Sequence, residues 1–388
     1  MKGEVTITHK GVRWYETGHP WIYKDDLKTA DGPSSGAVVR VKAPDGQLLG
    51  QAFYNAASKI ALRMLTQDPQ EQIDRDFWAG RFEAAVAYRK RIVTDSNACR
   101  LVFSEADGFP GLIVDRYADI LVFQVLSLGI EQLLPLLVEL AVEFTGAKAV
   151  LGWNDSPVRK LEGLSAERKL LFGEEPKRVE VTEGKRRYIV DFSRAQKTGA
   201  YLDQRENRIH SGSFAKGRVL DVFAYQGGFS LQAAGTAQEV VAIEDSEQAL
   251  NLLQENAALN GFKNIRAEKA NAFDRLREME KQGEQFDLVI LDPPAFAKSK
   301  AELQGAKRGY REINLRAMRL LKPEGILITC SCSYNMTEEL FLETLRQASV
   351  GAGRAVRLLE NRTQSKDHPI LLTHPESKYL KCLILETI

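Results

Sequence analysis

The sequence is poor in cysteine, in long apolar runs and in excess charge of one sign. Four cysteines in 388 residues are too few for a disulfide framework, and a reducing cytosol suits them. No apolar run approaches the ~20 residues that a membrane-spanning helix needs. The 53 basic and 52 acidic residues leave a formal net charge of +1. These absences predict a soluble cytoplasmic protein without a membrane segment, in which any polyanion is bound by a local patch.

Signatures of secretion and of a structural metal are also missing. Residues 1–30 are polar and have neither the apolar segment nor the cleavage pattern of a secretory signal. Cys330 and Cys332 are separated by one residue rather than two, and no second Cys or His pair has the spacing of zinc ligands. We therefore expect a cytoplasmic location and no bound metal.

The chain is long enough for two or three domains, since single domains mostly hold about 100–200 residues. Residues 1–72 alternate short apolar runs with turn residues, which predicts a small β-rich domain. Residues 73–188 combine two amphipathic helices with short strands, which predicts an α/β middle domain that ends in a charged connection at 174–187. Residues 189–388 alternate strands and helices of regular length, a pattern typical of a parallel sheet with crossover helices.

Strand and helix positions in this last part follow from the apolar periodicity. Strands are expected at 218–224, 239–243, 265–268, 286–291 and 325–330, and helices at 229–237, at 246–260, from 272 onward and at 308–321. A doubly wound sheet binds its ligand at the carboxyl ends of its strands. The residues that follow these strands are therefore the candidates for a binding site.

A nucleoside site is expected after the first two strands. Asp221 ends the first strand, Gly227 and Gly228 follow it, and Glu244 stands 23 residues after Asp221 at the end of the next strand. The glycines allow a tight turn close to a ligand, and Glu244 can accept hydrogen bonds from both ribose hydroxyls. Because the loop lacks G-x-G-x-x-G, a nucleoside without phosphate is favoured over a dinucleotide. S-adenosylmethionine is such a ligand, and Asp221 can pair with its ammonium group.

Further cofactor contacts are expected at the same edge. Asn271 and Ala272 follow the third strand, where the asparagine can bond the adenine. The candidate cofactor-binding residues from these loops are Asp221, Phe223, Tyr225, Gly227, Gly228, Glu244, Asp245, Asn271, Ala272 and Asp292. The alternative is that the two acids only cap helices and that the glycine pair is only a turn.

The loops after the last two strands carry the candidate chemistry. Asp292 precedes two prolines, which fix a carboxylate at the top of the sheet. Cys332 lies past an apolar run between two serines, whereas Cys330 lies within the run, where packing is the ordinary role of a cysteine. A thiolate that adds to C6 of a pyrimidine makes C5 nucleophilic, and Asp292 can stabilise or protonate N3 of cytosine. The pattern thus favours Cys332 and Asp292 as catalytic residues, with Cys330 as the alternative nucleophile.

Seven segments distributed over nearly the whole chain carry a resemblance. They are GHPWIY at 18–23, EADGFPGL at 105–112, QKTGAYLDQR at 196–205, the glycine loop at 221–230, the DPP and two-cysteine segments at 292–294 and 329–333, and DHP at 367–369. In these segments the chain resembles the bacterial family of 23S ribosomal RNA cytosine-5 methyltransferases that carry an N-terminal PUA domain.

The resemblance implies a fold, a reaction and a partner. It implies an α/β fold with a C-terminal Rossmann-like, seven-stranded methyltransferase sheet behind a PUA domain that binds RNA, with domains at 1–72, 73–188 and 189–388. It implies methylation of C5 of a cytidine in 23S ribosomal RNA or a large-subunit precursor. It adds Lys197, Thr198 and Gln204 to the wall of the cofactor cleft. A homodimer is one alternative for the oligomeric state, which stays open.

Departures from the family pattern keep two other functions open. Related RNA cytosine methyltransferases carry a second cysteine where this chain has Ala295, so another base is needed for product release, and Lys298 is a candidate. A methyltransferase acting on an exocyclic amine of guanine or adenine usually has a stacking aromatic directly after the second proline; here that position is Ala295, which weakens this alternative, although Phe296 is the next residue. A non-catalytic ribosome assembly factor that binds S-adenosylmethionine is the third alternative.

Basic clusters are candidates for phosphate contacts. Residues 89–91, 159–160 and 185–187 each hold two or three consecutive basic side chains. Together they could form a phosphate-binding face. Taken singly, each is more typical of a solvated surface.

Overall fold

Short β-strands separated by turns form the first sheet, as the alternating apolar pattern of the N-terminal residues predicts. The computed structural model describes residues 3–31, 33–193, 199–297 and 299–388. The chain forms two compact units: residues 1–181, 190–202 and 366–377 belong to the first, and residues 182–189, 203–365 and 378–388 to the second. No helix among these residues combines the length and the apolar character of a membrane span.

Six strands and one helix form the N-terminal part of the first unit. They are β1 (Glu4–Ile7), α1 (His9–Tyr15), β2 (Trp21–Tyr23), β3 (Leu27–Asp31), β4 (Val38–Lys42), β5 (Leu48–Tyr54) and β6 (Ile60–Thr66), and the sheet order is β2-β6-β5-β4-β1-β3. Val5, Val39 and Val41 are fully buried because alternate residues of each strand point to the same face. This sheet confirms the small β-rich part of the expected fold.

A five-stranded sheet and two long helices follow in the same unit. The elements are α2 (Arg75–Ile92), β7 (Ala98–Phe103), β8 (Leu112–Tyr117), β9 (Ile120–Val125), α3 (Leu128–Thr145), β10 (Ala149–Asn154) and β11 (Glu167–Gly173), in the sheet order β11-β10-β9-β8-β7. Asp74 caps α2 by accepting hydrogen bonds from the first-turn N–H groups. Trp78 and Phe82 of α2 share one apolar core with Leu134 and Leu137 of α3.

The charged connection expected at 174–187 is wrong in part, because a β-hairpin occupies most of it. Strands β12 (Arg178–Glu183) and β13 (Arg186–Asp191) form a two-stranded sheet. Charged residues alternate here with apolar ones, and Val181 and Val190 are fully buried. Because so many residues here are charged, the alternation of apolar and polar residues that indicates a half-buried strand is difficult to recognise.

The second unit holds the large α/β sheet. In chain order its helices and strands are α4 (Arg205–Ser211), β14 (Arg218–Val222), α5 (Gly228–Ala233), β15 (Glu239–Glu244), α6 (Glu247–Leu259), β16 (Ile265–Lys269), α7 (Ala272–Lys281), β17 (Phe286–Leu291), α8 (Leu303–Leu320), β18 (Leu321–Ser331), α9 (Glu338–Ala352), β19 (Val356–Arg362) and β20 (Lys381–Thr387). The sheet order is β16-β15-β14-β17-β18-β20-β19. This is the expected seven-stranded sheet.

Strand direction in this sheet changes at β20. The pairs from β16 to β18 are parallel, whereas β20 runs antiparallel to both β18 and β19. The central strands β14 and β17 are apolar on both faces, since helices cover both sides of a doubly wound sheet. The carboxyl ends of β14 to β18 therefore lie along one edge, and the first residues of β20 lie at that same edge.

Three expected element bounds in the second unit differ from the structure by four or five residues. Helix α5 ends at Ala233 rather than at 237, because Gly235, a residue of low helix propensity, follows. Helix α8 begins at Leu303 rather than at 308; Gly305 lowers the helix propensity there, but Ala306 is buried in the core. Strand β18 begins at Leu321 rather than at 325, because Leu321 pairs with Phe286 of β17.

Candidate active site

The expected site residues lie at the carboxyl edge of the large sheet. Asp221 lies in β14, Glu244 ends β15, and Asn271 directly precedes α7. Asp292 follows β17 and Cys332 follows β18. Because these strands are parallel neighbours, five residues that are up to 111 positions apart in the sequence share one edge.

The loop after β14 has an unusual backbone. Phe223, Tyr225 and Gly227 adopt φ values of 66°, 48° and 85°. Two non-glycine residues in this left-handed region cost conformational energy, and such strain is concentrated at functional sites. A Cβ atom at Gly227 would lie 2.7 Å from Cγ of Leu253, so glycine is needed there for packing against α6 as well as for the turn. Gly228 begins α5.

Asp221 is a buried carboxylate with a hydrogen-bond partner at only one of its two oxygens. Its side chain accepts a hydrogen bond of 2.6 Å at Oδ2 from Oγ of Ser230. Oδ1 is buried and has no hydrogen-bond partner among the residues that the structure describes. Burial, together with the neighbouring carboxylates of Asp292 and Glu244, raises the pKa of Asp221 to about 7. A cation at Oδ1 would give this oxygen a partner and favour the ionised carboxylate. The ammonium group of the expected cofactor is such a cation.

Glu244 holds the loop backbone. Oε2 accepts a hydrogen bond of 2.9 Å from the N–H of Tyr225, and Oε1 accepts from the N–H groups of Asp245 and Ser246 at 3.0 and 2.9 Å. A carboxylate offers about four acceptor positions, so about one is left for a ribose hydroxyl. The helix-cap alternative thus describes part of what Glu244 does, because Ser246 is the N-cap of α6. Asp245 is exposed beside it.

Asn271 caps the next helix. Its Oδ1 accepts hydrogen bonds from the N–H groups of Phe273 and Asp274 at 3.0 and 3.4 Å, and Ala272 is the first residue of α7. The capping bonds orient the asparagine at the sheet edge. The cap leaves the amide Nδ2 as the group that can donate to an adenine.

Asp292 is oriented by a buried glutamine. Nε2 of Gln204 donates to Oδ1 of Asp292 at 2.8 Å, and Asn207 of α4 donates from Nδ2 to Oε1 of Gln204 at 2.7 Å. Gln204 is 2% exposed. It was expected as part of the cofactor wall, and the structure joins it to the candidate catalytic carboxylate.

The two candidate nucleophiles differ in exposure. Cys330 is fully buried and pairs across the sheet with Cys382 of β20. The hydrogen bond to the Cys382 thiol and burial raise the pKa of Cys330 well above its ordinary value. Cys332 is partly exposed, and its Sγ donates to the carbonyl oxygen of Pro293 at 4.0 Å. The accessible thiol therefore borders the turn that carries Asp292.

Phe296 belongs to an aromatic cluster. Its ring centroid lies 4.7 Å from that of Tyr310, 6.0 Å from that of Phe273 and 6.4 Å from that of Phe223. Phe296 is half-buried, and its ring packs against aromatic side chains of α7 and α8.

Two further residues at this edge, Tyr310 and Lys381, were not expected from the sequence. The hydroxyl of Tyr310 lies within hydrogen-bond distance of the side chains of Ser331 and Ser333, at 3.0 and 3.1 Å. Nζ of Lys381 donates to the carbonyl oxygen of Ser333 at 2.8 Å. The sequence gives little signal for them, because a tyrosine within a helix and a lysine at the start of an apolar strand are ordinary. Lys197, Thr198 and Lys298 lie outside the described residues.

One group of possible metal ligands occurs among the residues that the structure describes. His19, His374 and Glu376 of the first unit bring ligand atoms within 4.8 Å of one another. Nδ1 of His19 accepts a hydrogen bond from the N–H of Trp21, so Nε2 carries the proton and donates to Glu376 at 3.1 Å. His19 and Glu376 are thus joined by a hydrogen bond, and Nδ1 of His374 lies 3.3 Å from the same Glu376 oxygen.

All three basic clusters are partly structural. Arg89 is 3% exposed and forms a bidentate pair with Asp107, and Arg159 is 1% exposed and bonds Glu131. Arg186 lies over the ring of Phe262. These arginines stabilise the fold. The exposed members of the clusters stay candidates for phosphate contacts; they are Lys90, Arg91, Lys160, Lys185 and Arg187.

Comparisons with known proteins identify the family of the chain. Residues 154–370 match the family model of S-adenosylmethionine-dependent methyltransferases, and residues 5–67 match that of a PUA-like domain. The chain is 41% identical to ribosomal RNA large subunit methyltransferase I of Tolumonas auensis, over 95% of this chain and 96% of that protein. It is 40% identical to the protein of the same name in Shewanella denitrificans, over 96% of both.

Solved structures share the whole fold. A protein described as a methyltransferase and solved with SAH has a TM-score of 0.85 at 19% identity. An S-adenosylmethionine-dependent methyltransferase from Streptococcus mutans has a TM-score of 0.83 at 20% identity. Both alignments cover all of this chain and all of the other chain. At this identity the likeness shows the fold alone. The family model and the relatives together show that the chain is an S-adenosylmethionine-dependent methyltransferase and belongs to the family of ribosomal RNA large subunit methyltransferase I.

Proposed function

We propose that this protein transfers a methyl group to C5 of a cytidine in 23S ribosomal RNA and that Cys332 is the nucleophile. The observation that carries the proposal is a partly exposed thiol beside the Asp292 turn, at the same edge as the cofactor residues. The relatives are named as methyltransferases of large-subunit ribosomal RNA, which supports this class of substrate.

The reaction uses the thiol because C5 of cytosine is a poor nucleophile. When bound, S-adenosylmethionine supplies an electrophilic methyl group. The Cys332 thiolate forms a bond to C6, and the electron pair of the C5–C6 double bond becomes available at C5. Asp292 in its protonated form donates a hydrogen bond or its proton to N3, where negative charge develops, and it takes the proton back when the adduct collapses. Gln204 keeps the Asp292 carboxyl in one orientation for this role.

The adduct then has to collapse. C5 carries both a hydrogen and the new methyl group; a base removes the proton, the electron pair restores the C5–C6 double bond, and sulfur leaves as thiolate. Ala295 stands where related enzymes carry a second cysteine, so that base is a different group.

The position of Phe296 favours C5 over an exocyclic amine. An amine methyltransferase usually has an aromatic directly after the second proline to stack on the target base, and this chain has Ala295 at that position. Here the ring of Phe296 packs against Tyr310 and Phe273. A thiol has no role in amine methylation, so the two mechanisms differ in their need for Cys332.

The remaining expectations complete the proposal. Residues 1–72 form the PUA domain, residues 73–188 the middle domain that contributes to RNA recognition, and residues 189–388 the methyltransferase domain, in a cytoplasmic protein. The match of residues 5–67 to a PUA-like domain supports the first of these. Lys197 and Thr198 belong to the cofactor wall by family resemblance.

The test compares two cysteine variants. Purified wild type, Cys332→Ala and Cys330→Ala are incubated with unmodified 23S ribosomal RNA and methyl-labelled cofactor, and cofactor binding is measured in parallel. We expect Cys332→Ala to bind cofactor without transferring label and Cys330→Ala to keep most of its activity. Full activity of Cys332→Ala would remove the covalent mechanism and favour an amine target. Binding of RNA without transfer by the wild type would favour an assembly factor.

Mass spectrometry identifies the product. Ribosomal RNA from a deletion strain is digested and compared with that of the parent strain. We expect one 5-methylcytidine of 23S RNA to be absent, and an absent methylguanosine or methyladenosine would contradict the proposal.

A further inference from the structure

Lys381 is a buried lysine that the proposed reaction does not yet use. It is the first residue of β20 and is 6% exposed. Its Nζ donates hydrogen bonds of 2.8 Å to the carbonyl oxygens of Ser333 and Tyr379. Within the described part of the chain, no carboxylate forms an ion pair with it. Burying an ammonium group without a carboxylate is costly, so a fold that keeps one here needs another reason for it.

Lys381 contacts the two residues that flank Cys332 in the sequence. Its backbone pairs with Ser331 across the β18–β20 ladder, and its side chain bonds the carbonyl of Ser333. Cys332 is the residue between these two anchors. Burial lowers the pKa of Lys381 to about 8, and a negative charge on Cys332 opposes that lowering. The amine and the thiol are therefore close enough to affect each other's charge.

The other charged and titratable groups near the pair have partners of their own. Lys378 pairs with Glu338 at 3.0 Å, and both face Lys381. Near Cys332, burial raises the pKa of Tyr310, so its hydroxyl stays neutral. Burial and its bond to Cys382 keep the Cys330 thiol protonated, and Asp292 is held by Gln204. Lys381 is thus the buried cation beside Cys332, among the residues that the structure describes.

We propose that Lys381 is a positioning residue of the active site and that its ammonium group stabilises the thiolate of Cys332. The inference rests on the proposed function, because it takes Cys332 as the nucleophile. The thiol releases its proton to water, and the thiolate supplies the electron pair of the bond to C6. When that bond breaks, the pair returns to sulfur beside the same ammonium group. Lys381 keeps its own proton throughout, so it acts by charge.

Alkylation of the full-length protein by iodoacetamide tests this without RNA or cofactor. Cys99, Cys330 and Cys382 are buried, so Cys332 is the accessible thiol, and peptide mass spectrometry verifies the alkylated residue. The rate is measured between pH 5 and 10. In the wild type we expect the midpoint of the profile below the ordinary cysteine value of about 8.5.

Three variants separate charge from structure. In Lys381→Met the midpoint is expected to rise by about one pH unit or more, which lowers the rate at pH 7 about tenfold. Lys381→Arg keeps the cation and should stay near the wild type. Lys378→Met removes a lysine three positions away that pairs with Glu338, and it should leave the profile unchanged.

Several outcomes would overturn the inference. They are an unshifted midpoint in Lys381→Met, equal shifts in Lys381→Met and Lys381→Arg, and a wild-type midpoint at or above about 8.5. The wild-type midpoint is measured without any variant, so this test stays valid even if Lys381→Met does not fold. Methyl transfer by Cys332→Ala would defeat the proposed function while the alkylation profile stayed as expected. An unshifted profile with Cys332 still essential would defeat only the inference about Lys381.

Discussion

Gln204 donates a hydrogen bond of 2.8 Å from Nε2 to Oδ1 of Asp292, and Asn207 donates to the other end of the same amide. Because Gln204 is buried, its amide cannot exchange these partners for water. The result is a chain of three side chains that ends on the candidate catalytic carboxylate. Such second contacts orient a reacting group without touching the substrate.

Replacing this glutamine tests the arrangement. In Gln204→Leu the carboxylate loses its donor, and we expect methyl transfer to fall by about 10- to 100-fold because a small misplacement of a reacting group is costly. Cofactor affinity should change much less. Single-turnover rates and calorimetric binding measure the two effects separately. Gln232→Leu is the matched control, since this buried glutamine bonds the carbonyl of Glu183 away from Asp292. Equal losses of activity in both variants would point to a general loss of stability.

The pKa of Asp221 predicts how cofactor binding depends on pH. With a pKa of about 7, most Asp221 carboxyls are protonated at pH 6 and most are ionised at pH 7.5. The ammonium of the cofactor pairs with the ionised form, so affinity should rise roughly eightfold over this interval. Calorimetry at several pH values measures it. Asp221→Asn should bind weakly and lose the pH dependence, whereas Asp274→Asn, a change of an exposed carboxylate in α7, should keep both. A flat profile in the wild type would contradict the role of Asp221.

Ionisation of Asp221, which favours cofactor binding, is expected to lower the stability of the cofactor-free protein. A carboxyl whose pKa is raised in the folded state contributes stability that is fully present below its unfolded value of about 3.9. That contribution is lost as the pH rises through the folded value of about 7. Between pH 5.5 and 8 the loss is about 2 kcal/mol.

Urea unfolding of the cofactor-free protein at these two pH values measures that loss. Asp221→Asn has no ionisation at this position, so we expect its free energy of unfolding, relative to the wild type, to increase from pH 5.5 to pH 8. Relative to the wild type, the variant would then be more stable at pH 8 than at pH 5.5, although it binds cofactor less well. An unchanged difference between the two proteins would show that Asp221 does not titrate in this range.

The sequence predicts the strand-end residues well because their positions follow from local pattern. Asp221, Glu244 and Asp292 each follow an apolar run of strand length, and parallel strands bring such positions to one edge by rule. The difference between Cys330 and Cys332 follows in the same way, since only the latter lies past the buried strand. These inferences need no knowledge of which distant elements meet.

Gln204 and Lys381 show what the sequence does not determine. Gln204 reaches Asp292 across 88 positions, and Lys381 reaches Ser333 across 48, through an antiparallel strand at the end of the chain. Nothing in the local pattern of either residue indicates its partner, because the contact arises from the order of strands in the sheet. The hairpin of β12 and β13 was missed for another reason, since its charges mask the alternation of its buried valines.

Gly227 gives a test of the cofactor loop itself. Its φ of 85° disfavours any residue with a Cβ atom, and that atom would also lie 2.7 Å from Cγ of Leu253. Gly227→Ala should therefore lose about 1–2 kcal/mol for the left-handed backbone and a further ~1–3 kcal/mol for overpacking. Gly261→Ala is the matched control, because Gly261 has a similar φ of 72° but no atom near the position of a Cβ.

The difference between these two alanine variants isolates the steric contact with Leu253. We expect urea unfolding to give a larger loss for Gly227→Ala than for Gly261→Ala, with cofactor affinity reduced only in the former, because the loop that carries Tyr225 would have to move away from α6. If the two variants lose the same free energy of unfolding, the loop accommodates the methyl group. Its strained backbone would then be explained by the turn alone, without a requirement for packing on Leu253.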